Sequence, residues 1–497
     1  MTPRLLLSIA ITSALALGAC AGPAERADAP PAAPAAMADI APAQSQAPAA
    51  TNPGGLDLAN FDQTVGACTD FYEFSNGNWL RQNPVPAAFS TWGTFSELEQ
   101  RNNQRLRGLA LNAAADTSAA RGTPTQLVGA FYTAALDRAA IDARGLAPIA
   151  AELGAVDAVR TRADVVALIG DWQSRGAGVL FGFGSGQDFK DNTRVIAYAR
   201  QGGIGLPNRD FYTRDDAESV TLRERYVEHI GTILTLAGTE AAAATAAAQR
   251  ILAFETRLAK ASLTREELRV PDASYNLVSI AAANEITPTL DWAALMRANG
   301  APVQEFSLSH PKFFAEVDQA LGDTGVDTWQ EYLRWTLLRS TASNLAQPFA
   351  DESFRFYSTV LRGQKEQRPL DERTIEAMNE LLGEPLGQLF VAKYFPPAAK
   401  ARMMQMIGHL KTALRARLET LEWMGEDTRR EALEKWSTFT PKIGYPDKWR
   451  NYSAVSLSRD DHFAKVRALI AFEQGQSVVT GTTTVSMKSC ASRLPVA

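Results

Sequence analysis

The chain has 497 residues, 46% of them hydrophobic and 21% charged, with a net charge of −5. That length and balance suit two or more globular domains, each with a sizeable core. The basic residues are scattered, and the short Arg clusters near 101–107 and 429–430 read as solvated helix faces, so no nucleic-acid partner is indicated.

Arg4 precedes an apolar run, Leu5 to Leu17, that is too short to anchor the chain across a bilayer. A basic start followed by a short apolar stretch reads as a secretory signal over residues 1–20. It ends in Leu17-Gly18-Ala19-Cys20, which resembles a bacterial lipobox, where the Cys thiol is lipidated and becomes the new N-terminus. The alternative is an ordinary signal peptide that happens to contain a Cys. The spacing and the following segment favour lipidation of Cys20. Position 21 is Ala rather than Asp, so anchoring at the periplasmic face of the outer membrane is expected by resemblance to other lipoproteins. Residues 21–55 are dominated by Ala and Pro and lack the apolar side chains to fold; they read as a disordered spacer.

Folding is expected from about Leu56. Phe71, Tyr72, Phe74 and Trp79 suit a short helix anchored in a larger body. A helix follows from about Thr94 to Leu111. Residues 124–260 read as mostly helical, with apolar residues at helical spacing in 126–136 and 163–173 and a pair of helices over 217–260. One hairpin interrupts them, with strands near 178–186 and 193–199. Its glycines do not have the GxGxxG spacing, and no Lys-Ser/Thr follows, so no nucleotide loop is read there. Glu266 and Glu267, adjacent in sequence, do not share a helix face and read as solvated rather than as an acid–base pair. Tyr275-Asn276 sits in a loop, and helices are expected over 277–297, 312–322 and 326–348.

The last third carries the strongest helical signal. Between Ala399 and Met424, Met403, Met406, Ile407, Leu410, Leu414, Leu418 and Leu421 recur in steps of three and four, giving one apolar stripe. Its methionines read as core filler rather than metal ligands. A helix over 428–439 leads to Phe439-Thr-Pro-Lys-Ile-Gly-Tyr-Pro-Asp-Lys-Trp449, a loop rich in breakers and aromatics and therefore expected to hold a fixed shape. A last helix is expected over 461–473. The tail from 474 to 497 is rich in Ser, Thr and Val, without helical period, and looks unrelated or frame-shifted.

Metal chemistry finds little footing. The four histidines are His229, His310, His409 and His462, and no two are closer than the 53 residues from His409 to His462. A helical zinc motif needs two His at i and i+4. The three cysteines, Cys20, Cys68 and Cys490, make neither a disulfide framework nor a Cys-type zinc site. No catalytic residue, metal ligand or cofactor-binding residue is therefore assigned.

Several phrases together resemble the N-terminal region of the neprilysin-like zinc metallopeptidases, family M13. They are Asp70-Phe-Tyr-Glu-Phe with Asn76-Gly-Asn-Trp-Leu80; Trp92-Gly-Thr-Phe95; Gly205-Leu-Pro-Asn-Arg-Asp-Phe-Tyr212; Tyr332-Leu-Arg-Trp335; Lys393-Tyr-Phe-Pro-Pro-Ala-Ala-Lys400; and Lys442-Ile-Gly-Tyr-Pro-Asp-Lys-Trp449. They occur in the family's order over about 56–473. The resemblance implies a mainly α, multi-helix lid-type domain with a small β-hairpin, and a zinc metalloendopeptidase acting on short peptides. In the family, the HExxH helix, the ExxxD glutamate ligand and an Asn-Ala-Tyr-Tyr strand come after this region. None of them occurs here, so the thermolysin-like catalytic domain is expected to be missing and the chain to be inactive alone. Some animal relatives bind a peptide's carboxylate with an Arg ahead of the aromatic-Gly pair. Ser90-Thr91 stand there in this chain, and no such role is carried over. Cys68 matches the family's early Cys, but its partner a few residues on is not matched. The resemblance also implies an exposed lid face open to association. An alternative is a lipid-anchored peptide-binding or scaffold protein that reuses the lid fold. An enzyme of another class using scattered carboxylates has no specific pair to support it.

Overall fold

The structure, a computed structural model, describes residues 57–479. Cys20, Cys490, the spacer up to residue 55 and the tail beyond 479 lie outside the described residues. The chain divides into two compact units, one ending at Gln82 and the other beginning at Asn83.

The first unit centres on helix α1 (Phe71–Gln82). Asp70 starts it by accepting the Glu73 N–H at 2.9 Å. The carboxylate of Asp62 accepts from the Thr64 hydroxyl (2.6 Å), the Thr64 N–H (3.0 Å) and Arg81 (2.7 Å). These hydrogen bonds, Thr64's first, hold its pKa down at about 2. Phe74 packs edge-on against Phe61, with ring centroids 5.4 Å apart, and Trp79 is half-buried. Phe71 and Tyr72, expected as core anchors, are instead 68% and 65% exposed. Positions 71 and 72 fall on the solvent side of the helix, which aromatic content alone does not reveal.

The second unit is mostly helical, with one small sheet. Its longer helices are α2 (Thr94–Ala115), α3 (Pro124–Leu136), α4 (Arg162–Ser174), α5 (Ala217–Leu236), α6 (Ala241–Ala261), α7 (Pro311–Asp323), α8 (Val326–Thr341), α9 (Gln347–Phe354), α10 (Leu370–Leu381), α11 (Gly383–Tyr394), α12 (Pro397–Thr420), α13 (Glu426–Ser437) and α14 (His462–Val479). Their starts carry local signals. Thr123 caps α3 ahead of Pro124, Thr161 and Asp164 form a capping box on α4, and Asp216 caps α5. Ala244, Ala247 and Ala248 are buried along α6, where small side chains let its backbone approach α5 closely.

The expected hairpin is present as β1 (Phe181–Gln187) and β2 (Val195–Gln201), antiparallel, with Phe181 opposite Gln201. Two further strands extend it: β3 (Leu277–Ser279) and β4 (Glu305–Leu308), in the order β1-β2-β4-β3. β4 runs parallel to β2 and antiparallel to β3. The expected helix over 277–297 is corrected to strand β3 and two short helices, Ile280–Ile286 and Trp292–Ala298. Pro288 falls between them and cannot continue a helix. The helix expected over 326–348 ends at Thr341 and resumes, after a short turn, as α9 at Gln347, with Pro348 in its first turn. α14 runs to Val479, so helix continues six residues past its expected end at 473.

Two apolar cores result. The larger gathers α4 to α9 and the sheet, with Trp292, Phe181, Phe306 and Phe314 in mutual ring contact. The smaller joins α2, α3, α10 and α11 to Tyr452, Val455, Leu457, Val466 and Leu469. Inside the larger core lies a buried carboxylate. Glu255 of α6 accepts from the Tyr212 hydroxyl (2.6 Å), the Tyr226 hydroxyl (2.9 Å), the Gly205 N–H (3.2 Å) and the Trp335 indole N–H (3.2 Å). Burial pushes its pKa up, opposed by the nearby Arg339 charge and these hydrogen bonds. The Tyr212 oxygen also accepts the N–H groups of Gly205 and Leu206, at 3.0 and 2.8 Å. The phrase Gly205 to Tyr212 thus closes on itself around one phenol.

Candidate functional site

The segment from Phe395 to Trp449 combines a loop of fixed shape with two helices that bury none of their residues. α12 begins at Pro397, and α13 returns beside it. Neither helix contains a buried residue. The pair is joined instead through polar and ring contacts. The Trp436 indole N–H donates to the Lys411 carbonyl at 2.8 Å, while Lys411 and Arg415 lie over the Trp436 ring at 5.2 and 5.3 Å. Arg429 donates to the carbonyls of Leu421 and Met424, at 2.7 and 2.9 Å, just past the end of α12.

The loop after α13 has the fixed shape its breakers require. Gly444 takes φ +72°, and a Cβ there would lie 2.9 Å from the Phe395 ring. Tyr445 stacks on Trp449 (centroids 6.0 Å, planes 9° apart) and meets the edge of Phe395 at 5.8 Å. Lys400, one turn into α12, reaches across. Its ammonium donates to the Tyr445 carbonyl (2.8 Å) and to Asp447 (2.7 Å), and it lies 4.4 Å from the Tyr445 ring centroid. Behind the loop, the Arg450 N–H donates to Glu384 (2.7 Å), and its guanidinium donates to Glu473 (2.6 Å), which also accepts from the Tyr452 hydroxyl (3.0 Å). Burial, then the Glu473 charge, pushes the Tyr452 phenol well up. The loop therefore ties α11, α12 and α14 together. Sequence reading identified the loop but missed Lys400 as its clamp. The signal was a lone Lys one turn after Pro396-Pro397 and far in sequence from the ring it meets.

The apolar stripe is present on α12 but is not filler. Met403, Met406, Leu410 and Leu414 are 39%, 46%, 49% and 43% exposed, and Trp423 and Phe439 are exposed as well. This corrects the expectation that the methionines fill a core: the described residues leave them about half exposed. At the start of α2, Phe95 and Leu98, three residues apart on one face, are likewise exposed, although Leu106, Leu109 and Ala113 further along are buried. Covering the remaining half of four such stripe side chains is worth roughly 3–6 kcal/mol. Scattered exposed apolar residues are ordinary, but a helical stripe of this kind marks an interaction surface.

The histidines lie apart and each has its own setting. His229 faces Glu352 at 2.6 Å and stacks on Phe356. His310 accepts the Gln201 N–H at 3.0 Å. His462 meets the Asn344 amide oxygen at 3.1 Å, and His409 is exposed on α12. Among the described residues, no three His, Cys, Asp or Glu side chains converge as a metal site. The donors among the described residues do not fit a zinc ion. Cys68 is exposed, and Cys20, the expected lipidation site, lies outside the described residues. Glu266 and Glu267 are exposed. No described helix is long and apolar enough to cross a membrane.

Comparison with known proteins accounts for this arrangement. Residues 67–446 match the family model "Peptidase family M13", a match whose end falls within the loop just described. Rat endothelin-converting enzyme 1 is 29% identical over 417 residues, which cover 78% of this chain and 52% of the relative. Human endothelin-converting enzyme-like 1 is 28% identical over 409 residues, with the same coverage. The chain thus spans about half the length of these relatives. Among solved structures, the zinc metalloprotease ZMP1 of Mycobacterium tuberculosis, in complex with inhibitor, superposes with a TM-score of 0.81 at 31% identity, over 87% of this chain and 65% of that one. The family match, the mainly helical architecture and the order of the motifs coincide: the chain belongs to peptidase family M13, and residues 67–446 correspond to the family's N-terminal region.

Proposed function

We propose that residues 56–473 are the lid and substrate-chamber part of a neprilysin-like zinc metalloendopeptidase for short peptides, and that this chain by itself does not cleave them. The observation that carries the reading is the uncovered stripe of α12, next to a loop held rigid by Lys400 and Arg450. A preformed, apolar, rigid face suits permanent burial against a second body rather than transient contact. In this reading the face seats the zinc-bearing half of the peptidase, whose sequence motifs this chain lacks. Zinc, the water it activates and the general base then belong to that half. The lid's own share is to limit entry to short peptides and to exclude water around them.

The test is a peptide-cleavage assay on the purified chain with added zinc, alongside size-exclusion chromatography. No chelator-sensitive turnover is expected, together with association beyond the monomer. The triple variant Met406→Lys, Leu410→Lys, Leu414→Lys is expected to be monomeric with an unchanged fold. Turnover abolished by a chelator would refute the inactive reading, and a monodisperse monomer of the parent chain would refute the seating face.

We further propose that Cys20 carries a lipid anchor and that the Ala/Pro spacer holds the folded part off the outer membrane's periplasmic face. The lipobox-like Leu17-Gly-Ala-Cys20 supports this. Cys20→Ala is expected to move the protein from the membrane fraction to the soluble one. Retention of that variant in the membrane would argue against the anchor.

A further inference from the structure

The apolar stripe of α12 is not uniform along its length. Its C-terminal half is carried by Leu410 and Leu414, and its N-terminal half by Met403 and Met406, three residues apart on one side of the helix. Met404 flanks them and is 37% exposed. Met296 and Met378 are buried in the two cores, and Met424, past the end of α12, is half-buried. Among the described residues, the exposed methionines therefore all fall between positions 403 and 406, at one place on the surface.

Methionine suits a docking face because its unbranched, polarisable side chain adapts to an uneven partner. Leucine is as apolar, but only the thioether can change its polarity without a change of sequence. A hydroperoxide delivers one oxygen atom to an exposed sulfur. With hydrogen peroxide, a sulfur lone pair attacks one peroxide oxygen, the S–O bond forms as the O–O bond breaks, and the second oxygen leaves as water. The sulfur is oxidised by two electrons and the peroxide is reduced by two. The resulting sulfoxide is a polar acceptor, and against an apolar partner surface it is buried without a donor.

We propose that Met403, Met404 and Met406 are a modification site for hydroperoxides, and that their oxidation closes the face to its partner until a methionine sulfoxide reductase reopens it. This rests on the reading of α12 as a seating face. The sulfurs of Met403 and Met406 are reachable only while that face is open. A seated partner shields them, so the switch acts before assembly and not after it. Leu410 and Leu414 do not react, so the modification weakens the seat from one end and leaves the rest of the stripe apolar. Met404, at the flank, contributes less than the two stripe residues.

The experiment treats the full chain with hydrogen peroxide and then with dithiothreitol, which reduces disulfides and leaves sulfoxides in place. Peptide mass mapping and size-exclusion chromatography over a range of concentrations follow. Sulfoxide is expected at Met403, Met404 and Met406 before it forms at Met296 and Met378. Self-association is expected to weaken by about a hundredfold, about tenfold for each of Met403 and Met406. A methionine sulfoxide reductase should restore it. The triple variant Met403→Leu, Met404→Leu, Met406→Leu, compared with its own untreated sample, should not respond to peroxide. Three results would each overturn the inference: oxidation of Met296 and Met378 as fast as Met403, a parent that stays associated with all three sulfoxides formed, or a leucine variant that dissociates on treatment as the parent does. A parent already monomeric before treatment would remove the seating face and this inference with it, so the untreated sample tells the two failures apart.

Discussion

Gly205→Ala is expected to destabilise the chain by about 3–5 kcal/mol. A Cβ at this position would lie 1.8 Å from the Tyr226 hydroxyl oxygen and 2.9 Å from the carbon that bears it. Neither can give way cheaply. Tyr226 is fully buried, and its hydroxyl donates to Glu255 while its ring packs against Trp335 and Phe356. Moving the ring therefore costs packing and leaves the Glu255 carboxylate short of a donor, in an interior where an under-satisfied charge is expensive. Glu255→Gln provides the comparison. It keeps the volume but replaces a charge that faces Arg339, and a smaller loss of about 1–3 kcal/mol is expected. Urea unfolding followed by tryptophan fluorescence measures both. A Gly205→Ala variant within about 1 kcal/mol of the parent would show that the Tyr226–Glu255 arrangement is not the rigid knot described.

Acid is expected to weaken the fold well before ordinary carboxylates titrate. His310 and His462 are pushed down to about 4, each mainly by burial, and His229 is also lowered by burial despite Glu352 beside it. The geometry explains the resistance to protonation. His310 Nδ1 already accepts the Gln201 N–H, so a proton there would lose that hydrogen bond. His462 Nδ1 is buried and faces no acceptor. A histidine in the unfolded chain titrates near 6.5. Between about pH 6.5 and pH 4 the unfolded state therefore binds more protons than the folded one, and stability falls as pH falls. The stability is fully present above about pH 6.5, and each of His310 and His462 forfeits about 3 kcal/mol on reaching pH 4. Glu255, raised by burial, acts in the opposite direction, gaining stability as pH falls. Urea midpoints at about pH 7 and about pH 4.5 measure the net effect, and His310→Gln should flatten the dependence. Equal midpoints for the parent at the two pH values would contradict this account.

What could be read from the chain depended on how local its cause was. Helices α3, α4, α5 and α6 declare themselves through spacing and caps contained within each segment, and α12 through spacing alone. The β1–β2 hairpin shows because its strands alternate around a polar turn. β3 and β4 span only three and four residues, too few for alternation to register, and their pairing is set by segments up to about a hundred residues away. The Glu255 cluster is invisible for the same reason: its donors come from the Gly205–Tyr212 phrase, from Tyr226 on α5 and from Trp335 on α8. Recognition of the Gly205–Tyr212 phrase worked because its residues bond to one another around the Tyr212 hydroxyl. The stripe on α12 shows the reverse limit. Its periodicity was legible, but a period says which side is apolar and nothing about what covers it.

The smaller core has a consequence for the order of events during synthesis. α3 packs on α2, made just before it, but the rest of its cover lies at 375–386 and 452–469. The Gln126 side-chain amide donates to the Leu457 carbonyl, a partner 331 residues later. At a usual elongation rate of about 5–20 residues per second, α3 waits on the order of tens of seconds before the rest of its covering residues exist. During that interval Leu127, Val128 and Phe131 have only α2 for native shelter. The nascent chain therefore depends on whatever holds apolar segments apart until the last helix emerges, and an interruption ahead of residue 452 strands the first-made helices in a sticky state.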